Sequence, residues 1–296
     1  MQHSRTCEIL TSNTPTMCLP SFLCIGAQKA ATSWLFVTLQ EHPDIWMPTI
    51  KELHYFDYLY VPECRDWAHR HIRKTTKSAI LRQLADVRHF SPARIRHLHQ
   101  LATVDVFSED WYRRAFDRPE ARGKVTGDIT PSYCTLPVEG IEYVHALLGN
   151  PRLIYIIRDP LERALSHLRM KAQRRHGKQA GSLSKAQWRK LARKTRIAHR
   201  GNNRAYIRNG LSVFDRDNML FIPFGMIRER PLDVMRQVEQ HLGISSFAGY
   251  SSPNRPAHVT TKVTIPDSVI KRLSEELQPQ QAFLREFFDP DFFAMI

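Results

Sequence analysis

Phe22-Leu23-Cys24-Ile25-Gly26-Ala27-Gln28-Lys29-Ala30-Ala31-Thr32-Ser33-Trp34-Leu35-Phe36-Val37-Thr38-Leu39 is the stretch on which the fold turns. The apolar run Phe22 to Ile25 has the length of a buried strand, Gly26 and Ala27 followed by Gln28, Lys29 and two alanines make a tight turn, and a helix follows. Thr32 and Ser33 fall in its first turn. Unpaired backbone N–H groups, two hydroxyls and the positive end of the helix dipole converge there, and with Lys29 alongside they suit a phosphate or sulfate. The plain alternative is an ordinary strand-to-helix connection with a solvated lysine.

A second stretch, Leu153-Ile154-Tyr155-Ile156-Ile157-Arg158-Asp159-Pro160-Leu161-Glu162-Arg163-Ala164-Leu165-Ser166, repeats the strand-to-helix pattern. Asp159, Pro160 and Glu162 supply an N-cap, a first-turn proline and a third-position glutamate. Arg158 is thereby expected at the C-terminal end of a strand, where open α/β sheets bind ligands, with Ser166 about two turns along the helix. An arginine fork and a hydroxyl suit a second phosphate, although Arg158 pairing with a nearby carboxylate is the simpler use of it. Between these stretches lies Lys51-Glu52-Leu53-His54-Tyr55-Phe56-Asp57. If extended, it puts Glu52, His54 and Phe56 on one face and Leu53, Tyr55 and Asp57 on the other. Glu52 with His54 is then a candidate acid/base pair, against the plain reading of a surface carboxylate.

The whole chain, 296 residues with 42% hydrophobic content, suits one α/β domain. We expect a loose lead-in over residues 1–19 and a single domain over 20–296, with a helical insertion at 58–122 and a basic helical segment at 171–204. Ile45 to Met47, Lys124 to Ile129 and Met219 to Pro223 read as further strands, and Pro231 to Leu242 as an amphipathic helix stopped by Gly243. Tyr206 and Gly210 are expected to precede a helix-like stretch. There is no apolar run long enough for a transmembrane segment, and the polar lead-in broken by Pro15 does not resemble a signal peptide, so a cytoplasmic location is expected. The five cysteines read as free thiols, and no cluster shows metal-ligand spacing. The net charge of +14 is concentrated: from Arg163 to Arg208 there are fifteen Lys and Arg and no acid. Such a block forms either a solvated face or mobile arm, or a surface for a polyanion.

Gly26, Lys29 and Thr32 do not form the nucleotide loop G-x-x-x-x-G-K-[ST], because lysine comes too early and no Gly-Lys-Ser/Thr follows. They resemble the Gly-x-x-Lys-x-x-Thr donor loop of sulfotransferases that use PAPS (3'-phosphoadenylyl sulfate), of the heparan-sulfate type and its bacterial relatives. Lys51 to Phe56 resembles that family's Lys-Glu-x-x-Phe-Phe, whose glutamate is the catalytic base. Arg158, Pro160, Arg163 and Ser166 fit its Arg-x-Pro-x-x-Arg-x-x-Ser site for the 3'-phosphate. Asp128, Thr130, Pro131 and Tyr133 follow its Glu-Lys-Thr-Pro-x-Tyr, with Ile129 in place of the lysine.

The resemblance implies a P-loop-like three-layer α/β fold, a central parallel sheet flanked by helices. It implies PAPS as sulfuryl donor, PAP (adenosine 3',5'-bisphosphate) as product and no metal, since a sulfuryl group carries less charge than a phosphoryl group and fixed cations suffice. Gln28, Lys29, Ala30, Ala31, Thr32, Ser33 and Trp34 would hold the phosphosulfate, Arg158 and Ser166 the 3'-phosphate, and Arg255 would add a contact from a donor loop at Ser252 to Thr264. Glu52 would act as base supported by His54, while Lys29 neutralises the leaving group. The acceptor would be a hydroxyl or amine of a carbohydrate or small natural product, with the basic segment favouring an anionic one. Two other readings are a P-loop nucleotide kinase, which needs magnesium and a triphosphate, and a nucleic-acid-binding protein built on Lys171 to Arg208; the expectation here is no nucleic acid partner.

Overall fold

The computed structural model describes residues 19–194, 197–251, 253 and 263–296. The lead-in and Arg255, with most of the expected donor loop, lie outside them. In chain order the elements are β1 (Phe22–Gly26), α1 (Thr32–Leu39), β2 (Ile45–Trp46), α2 (Tyr55–Tyr60), α3 (Pro62–Ala85), α4 (Pro92–Thr103) and α5 (Glu109–Phe116). Then come β3 (Val125–Ile129), α6 (Val138–Leu148), β4 (Arg152–Ile157), α7 (Pro160–His176), α8 (Lys185–Lys194) and α9 (Asn203–Leu211). The chain closes with β5 (Met219–Pro223), α10 (Phe224–Glu229), α11 (Pro231–Leu242), α12 (Asp267–Phe287) and α13 (Pro290–Ala294).

The strands form one sheet in the order β2-β3-β1-β4-β5, with every pairing parallel. β1 is central and buried along its whole length, as an uninterrupted apolar strand covered on both faces must be. Pairing of Phe22 with Gly127 requires a residue without a side chain at 127, because a Cβ there would lie 2.0 Å from the Phe22 ring. After β1 the chain moves out to β2 and β3 on one side, then crosses to β4 and β5 on the other. The C-terminal end of β1 therefore lies at the reversal of strand order, where α/β sheets open a crevice. The architecture is the expected P-loop-like three-layer one, with helices on both faces.

Between β2 and β3 the chain forms α2, α3, α4 and α5. α3 buries Cys64, Ala68, Ile72, Thr76 and Ala79, one stripe at three- and four-residue spacing. Trp111 and Tyr112 are core residues: the indole donates to the Leu101 carbonyl at 2.8 Å, and the phenol to Asp128 Oδ2 at 3.2 Å. Among its described residues the basic segment comprises the end of α7, a 3-10 turn at Gly177–Ser182, α8, a second 3-10 turn at His199–Gly201 and the first residues of α9. Trp188 and Leu191 are buried beside Leu165, Leu168, Leu273 and Leu277 of α7 and α12, so an apolar stripe anchors the charged face. Tyr206 and Gly210 lie within α9 rather than before a helix.

Candidate active site

The turn after β1 is shaped by its backbone. Lys29 and Ala31 adopt left-handed conformations, φ 74° and 62°. For residues with a Cβ these cost about 1–2 kcal/mol each, and they turn successive N–H groups to one side. Ala31 is the N-cap of α1 and has no side chain to occupy the helix's first N–H groups. Ala30 and Thr32 are buried, while Gln28, Lys29, Ala31 and Ser33 are half-buried at the rim. Trp34 is buried and donates its indole N–H to the Pro253 carbonyl at 2.8 Å, tying α1 to the start of the expected donor loop.

Arg158 follows β4 directly, and α7 begins as predicted, with Asp159 Oδ1 accepting from the Glu162 N–H at 2.7 Å. The Arg158 guanidinium donates from Nη1 to the Lys29 carbonyl at 2.8 Å and lies over the Phe224 ring, 4.4 Å from its centroid. Its only ion-pair partner among the described residues is Glu162 at 3.6 Å, an exposed carboxylate that contributes little. Ser166 is half-buried on α7. Burial lowers the Lys29 ammonium below its ordinary pKa, and Arg174 and Arg158 lower it further. Arg200 donates to Gln28 Oε1 at 3.1 Å, so the basic segment also reaches the turn.

Lys51 to Asp57 is not extended. Glu52 and His54 are left-handed, φ 65° and 56°, and α2 starts at Tyr55 with His54 as its N-cap. This winding keeps Glu52 and His54 together, with Nε2 and Oε2 3.5 Å apart, and brings Asp57 to the same imidazole instead of the opposite face. Asp57 Oδ2 lies 2.8 Å from His54 Nδ1 and accepts from Ser132 Oγ at 2.6 Å. Lys51 Nζ donates to Glu52 Oε1 at 2.8 Å and reaches Thr32 Oγ1 at 3.5 Å, joining this loop to the start of α1. Burial alone would raise the Glu52 carboxyl, but Lys51 and His54 outweigh it and hold it well below the usual carboxylate range. Burial likewise opposes a charge on His54, yet Asp57 and Glu52 push its pKa up to about 9. At neutral pH the group is thus an imidazolium between two carboxylates.

The loop rests on the end of β3. Asp128 is buried and accepts from Tyr133 Oη and Thr130 Oγ1, both at 2.7 Å, as well as from Tyr112. Tyr133 Oη in turn accepts the Tyr55 N–H at 3.1 Å. Ile129 is buried. Lys51 and Asp57 carry no role in the sequence alone; the His54-x-x-Asp57 spacing, which joins the two side chains if a helix begins there, is the signal for Asp57. Glu52, His54 and the distant His71 of α3 place one ligand atom each within 4.8 Å of one another.

Residues 20–248 match the sequence profile of the sulfotransferase family. The chain is 26% identical over 157 residues to the membrane-associated sulfotransferase kil1 of Dictyostelium discoideum; the match takes in 53% of this chain but spans only about a quarter (24%) of that protein. Its fold is similar to that of a sulfotransferase from Alicyclobacillus acidocaldarius (TM-score 0.61, 21% identity, covering 94% of this chain and 99% of that one). It is also similar to the sulfotransferase domain of the curacin biosynthetic pathway (TM-score 0.56, 16% identity, covering 90% and 98%). Among the described residues no helix is long and apolar enough to cross a membrane. With the profile spanning most of its length, this chain belongs to the sulfotransferase family.

Proposed function

We propose that the enzyme transfers the sulfuryl group of PAPS to a hydroxyl or amine of a carbohydrate or small-molecule acceptor, with Glu52 as base. The observation that carries this reading is the convergence of three separate segments on the start of α1: Arg158 reaches Lys29, Lys51 bridges Thr32 and Glu52, and Arg200 reaches Gln28. The residues fit a nucleotide with phosphates at both ends. Burial is the main reason the Lys29 pKa is lowered, Arg174 and Arg158 add to it, and a polyanion relieves the part due to these neighbouring cations.

PAPS, when bound, supplies an activated sulfuryl group attached to a phosphate leaving group. Lys29 and the backbone N–H groups from Gln28 to Trp34 stabilise negative charge at that phosphate. Arg158 and Ser166 hold the 3'-phosphate and set the nucleotide's register. Glu52 accepts the proton of the attacking hydroxyl or amine, with Lys51 fixing one of its oxygens. His54, already protonated, orients Glu52 and does not compete as a base. Arg200, beside the turn, gives an anionic acceptor a cation to approach. Cys24, Cys64 and Cys134, all buried free thiols, accord with a reducing, cytoplasmic setting.

A thermal-shift comparison tests the donor class. PAP should raise Tm saturably and without magnesium, whereas greater stabilisation by ATP with magnesium would favour the kinase reading. Labelled PAPS offered with matched acidic and neutral carbohydrates then tests the acceptor class.

A further inference from the structure

His54 is held as metal-ligating histidines are held. Its Nδ1 faces Asp57 Oδ2 at 2.8 Å and Ser132 Oγ at 3.1 Å, which fixes the ring and directs Nε2 outward from that support. Nε2 is buried and has no hydrogen-bond partner among the described residues, on a side chain only 4% exposed. What it faces is Glu52 Oε2, at 3.5 Å. The other carboxylate oxygen is occupied by Lys51, so Oε2 is the one open to a cation. His71 completes the group from α3, its ring 4.9 Å from that of His54 and edge-on to it. Trp67, one turn earlier on α3, packs edge-on against His54 at 4.5 Å and forms an apolar wall.

We propose that Glu52, His54 and His71 form a binding site for a divalent transition metal of the zinc, cobalt and nickel class, and that its occupancy blocks the enzyme. Tetrahedral zinc with bonds of about 2.0–2.2 Å separates its ligand atoms by roughly 3.3–3.5 Å, and the Glu52–His54 separation already has that value. The three ligand atoms lie within 4.8 Å of one another, so closure needs only a side-chain adjustment of His71, which is half-buried on its helix. Two imidazoles and one carboxylate favour these metals over magnesium or calcium and leave a coordination position open. Lys51 and the proton that His54 carries on the Glu52 side both oppose the incoming ion, which must displace that proton to bind, while Asp57 offsets the charge from behind the ring. An ion here occupies the Glu52 oxygen that would take the acceptor proton. Metal binding is independent of the sulfuryl-transfer reading; the block of turnover rests on it.

Cobalt is the probe. Protein freed of metal with a chelator and titrated with CoCl2 should bind one equivalent with the visible absorption of a low-coordinate complex, and zinc but not magnesium should displace it. His71→Ala and the more conservative His71→Gln should each weaken binding at least tenfold, with circular dichroism and thermal unfolding confirming that the variant is folded. His89→Ala removes an exposed His–Asp pair and should leave the titration unchanged. Absence of the cobalt band in the wild-type protein, or wild-type affinity in both folded His71 variants, would overturn the site. Zinc should also inhibit transfer reversibly relative to each variant's own metal-free rate, and less so in the His71 variants. A filled site without inhibition would overturn the blocking role while leaving the cobalt result standing. The cobalt titration uses neither PAPS nor acceptor, so failure of the sulfuryl-transfer reading would not affect it.

Discussion

Arg158 donates from Nη1 to the Lys29 carbonyl at 2.8 Å, joining two strand-to-helix turns that are 129 residues apart in sequence. Neighbouring parallel strands β1 and β4 bring the turns together, and the guanidinium lies over the Phe224 ring without a strong ion pair. An arginine fixed in this way keeps donors for a ligand.

Arg158→Ala should therefore weaken PAP by roughly 2–3 kcal/mol, about 30- to 150-fold, the scale of a lost charge-assisted contact. Isothermal titration measures it, with Tm showing that the fold is kept. Unchanged affinity would remove Arg158 from the nucleotide site.

Lys51→Met should move the acid limb of the rate profile. As the proposed base Glu52 acts ionised, so activity should be present above its pKa and lost as pH falls through it. Lys51 is the strongest of the influences lowering that pKa, and removing it should shift the loss to higher pH. The profile of kcat/KM against pH, taken with chelator present, reports the shift, and an unmoved limb would contradict the role given to Lys51.

How much of this could be read from the chain depends on how local the cause is. β5 and α11 have the predicted bounds, because apolar run, proline start and glycine stop all lie within a few residues. The Asp159 cap was legible for the same reason. The Glu52 segment was not, since its left-handed residues are neither glycine nor asparagine, and what supports them is Ser132 and Tyr133 in the turn after β3. Nor could spacing link His71 to His54, because α3 approaches that loop through tertiary packing. The basic block announced its charge but hid its apolar stripe among lysines and arginines, so Trp188 gave the only clue that it packs on α12.

Asp128→Ala should destabilise the protein through the hydroxyls it leaves without an acceptor. Tyr112, Tyr133 and Thr130 all donate to this buried carboxylate, and each unsatisfied group costs about 1–3 kcal/mol. A loss of at least about 2 kcal/mol in denaturant unfolding is expected, with reduced turnover as the Tyr133–Tyr55 bond loosens the Glu52 loop. Unaltered stability would show that Asp128 is not the hub of that network.

His97 predicts an acid sensitivity separate from the active site. Burial, reinforced by Arg118, lowers its pKa from 6.5 to about 4. The unfolded chain takes up the proton first as pH falls, so stability declines between pH 6.5 and about 4 by on the order of 2–3 kcal/mol. Denaturant unfolding across that range should show a smaller decline in His97→Gln, and equal slopes in the two proteins would refute the assignment.

The central claim is that Lys29 and Arg158 grip opposite ends of one nucleotide while Glu52 faces its reactive end. A crystal structure with PAP tests it most directly. The 5'-phosphate should lie at the N-terminus of α1 against Lys29, the 3'-phosphate on Arg158 and Ser166, and the Glu52 carboxylate beside the 5'-phosphate. A nucleotide bound with its phosphates away from both turns, or with Glu52 facing a different cleft, would contradict it.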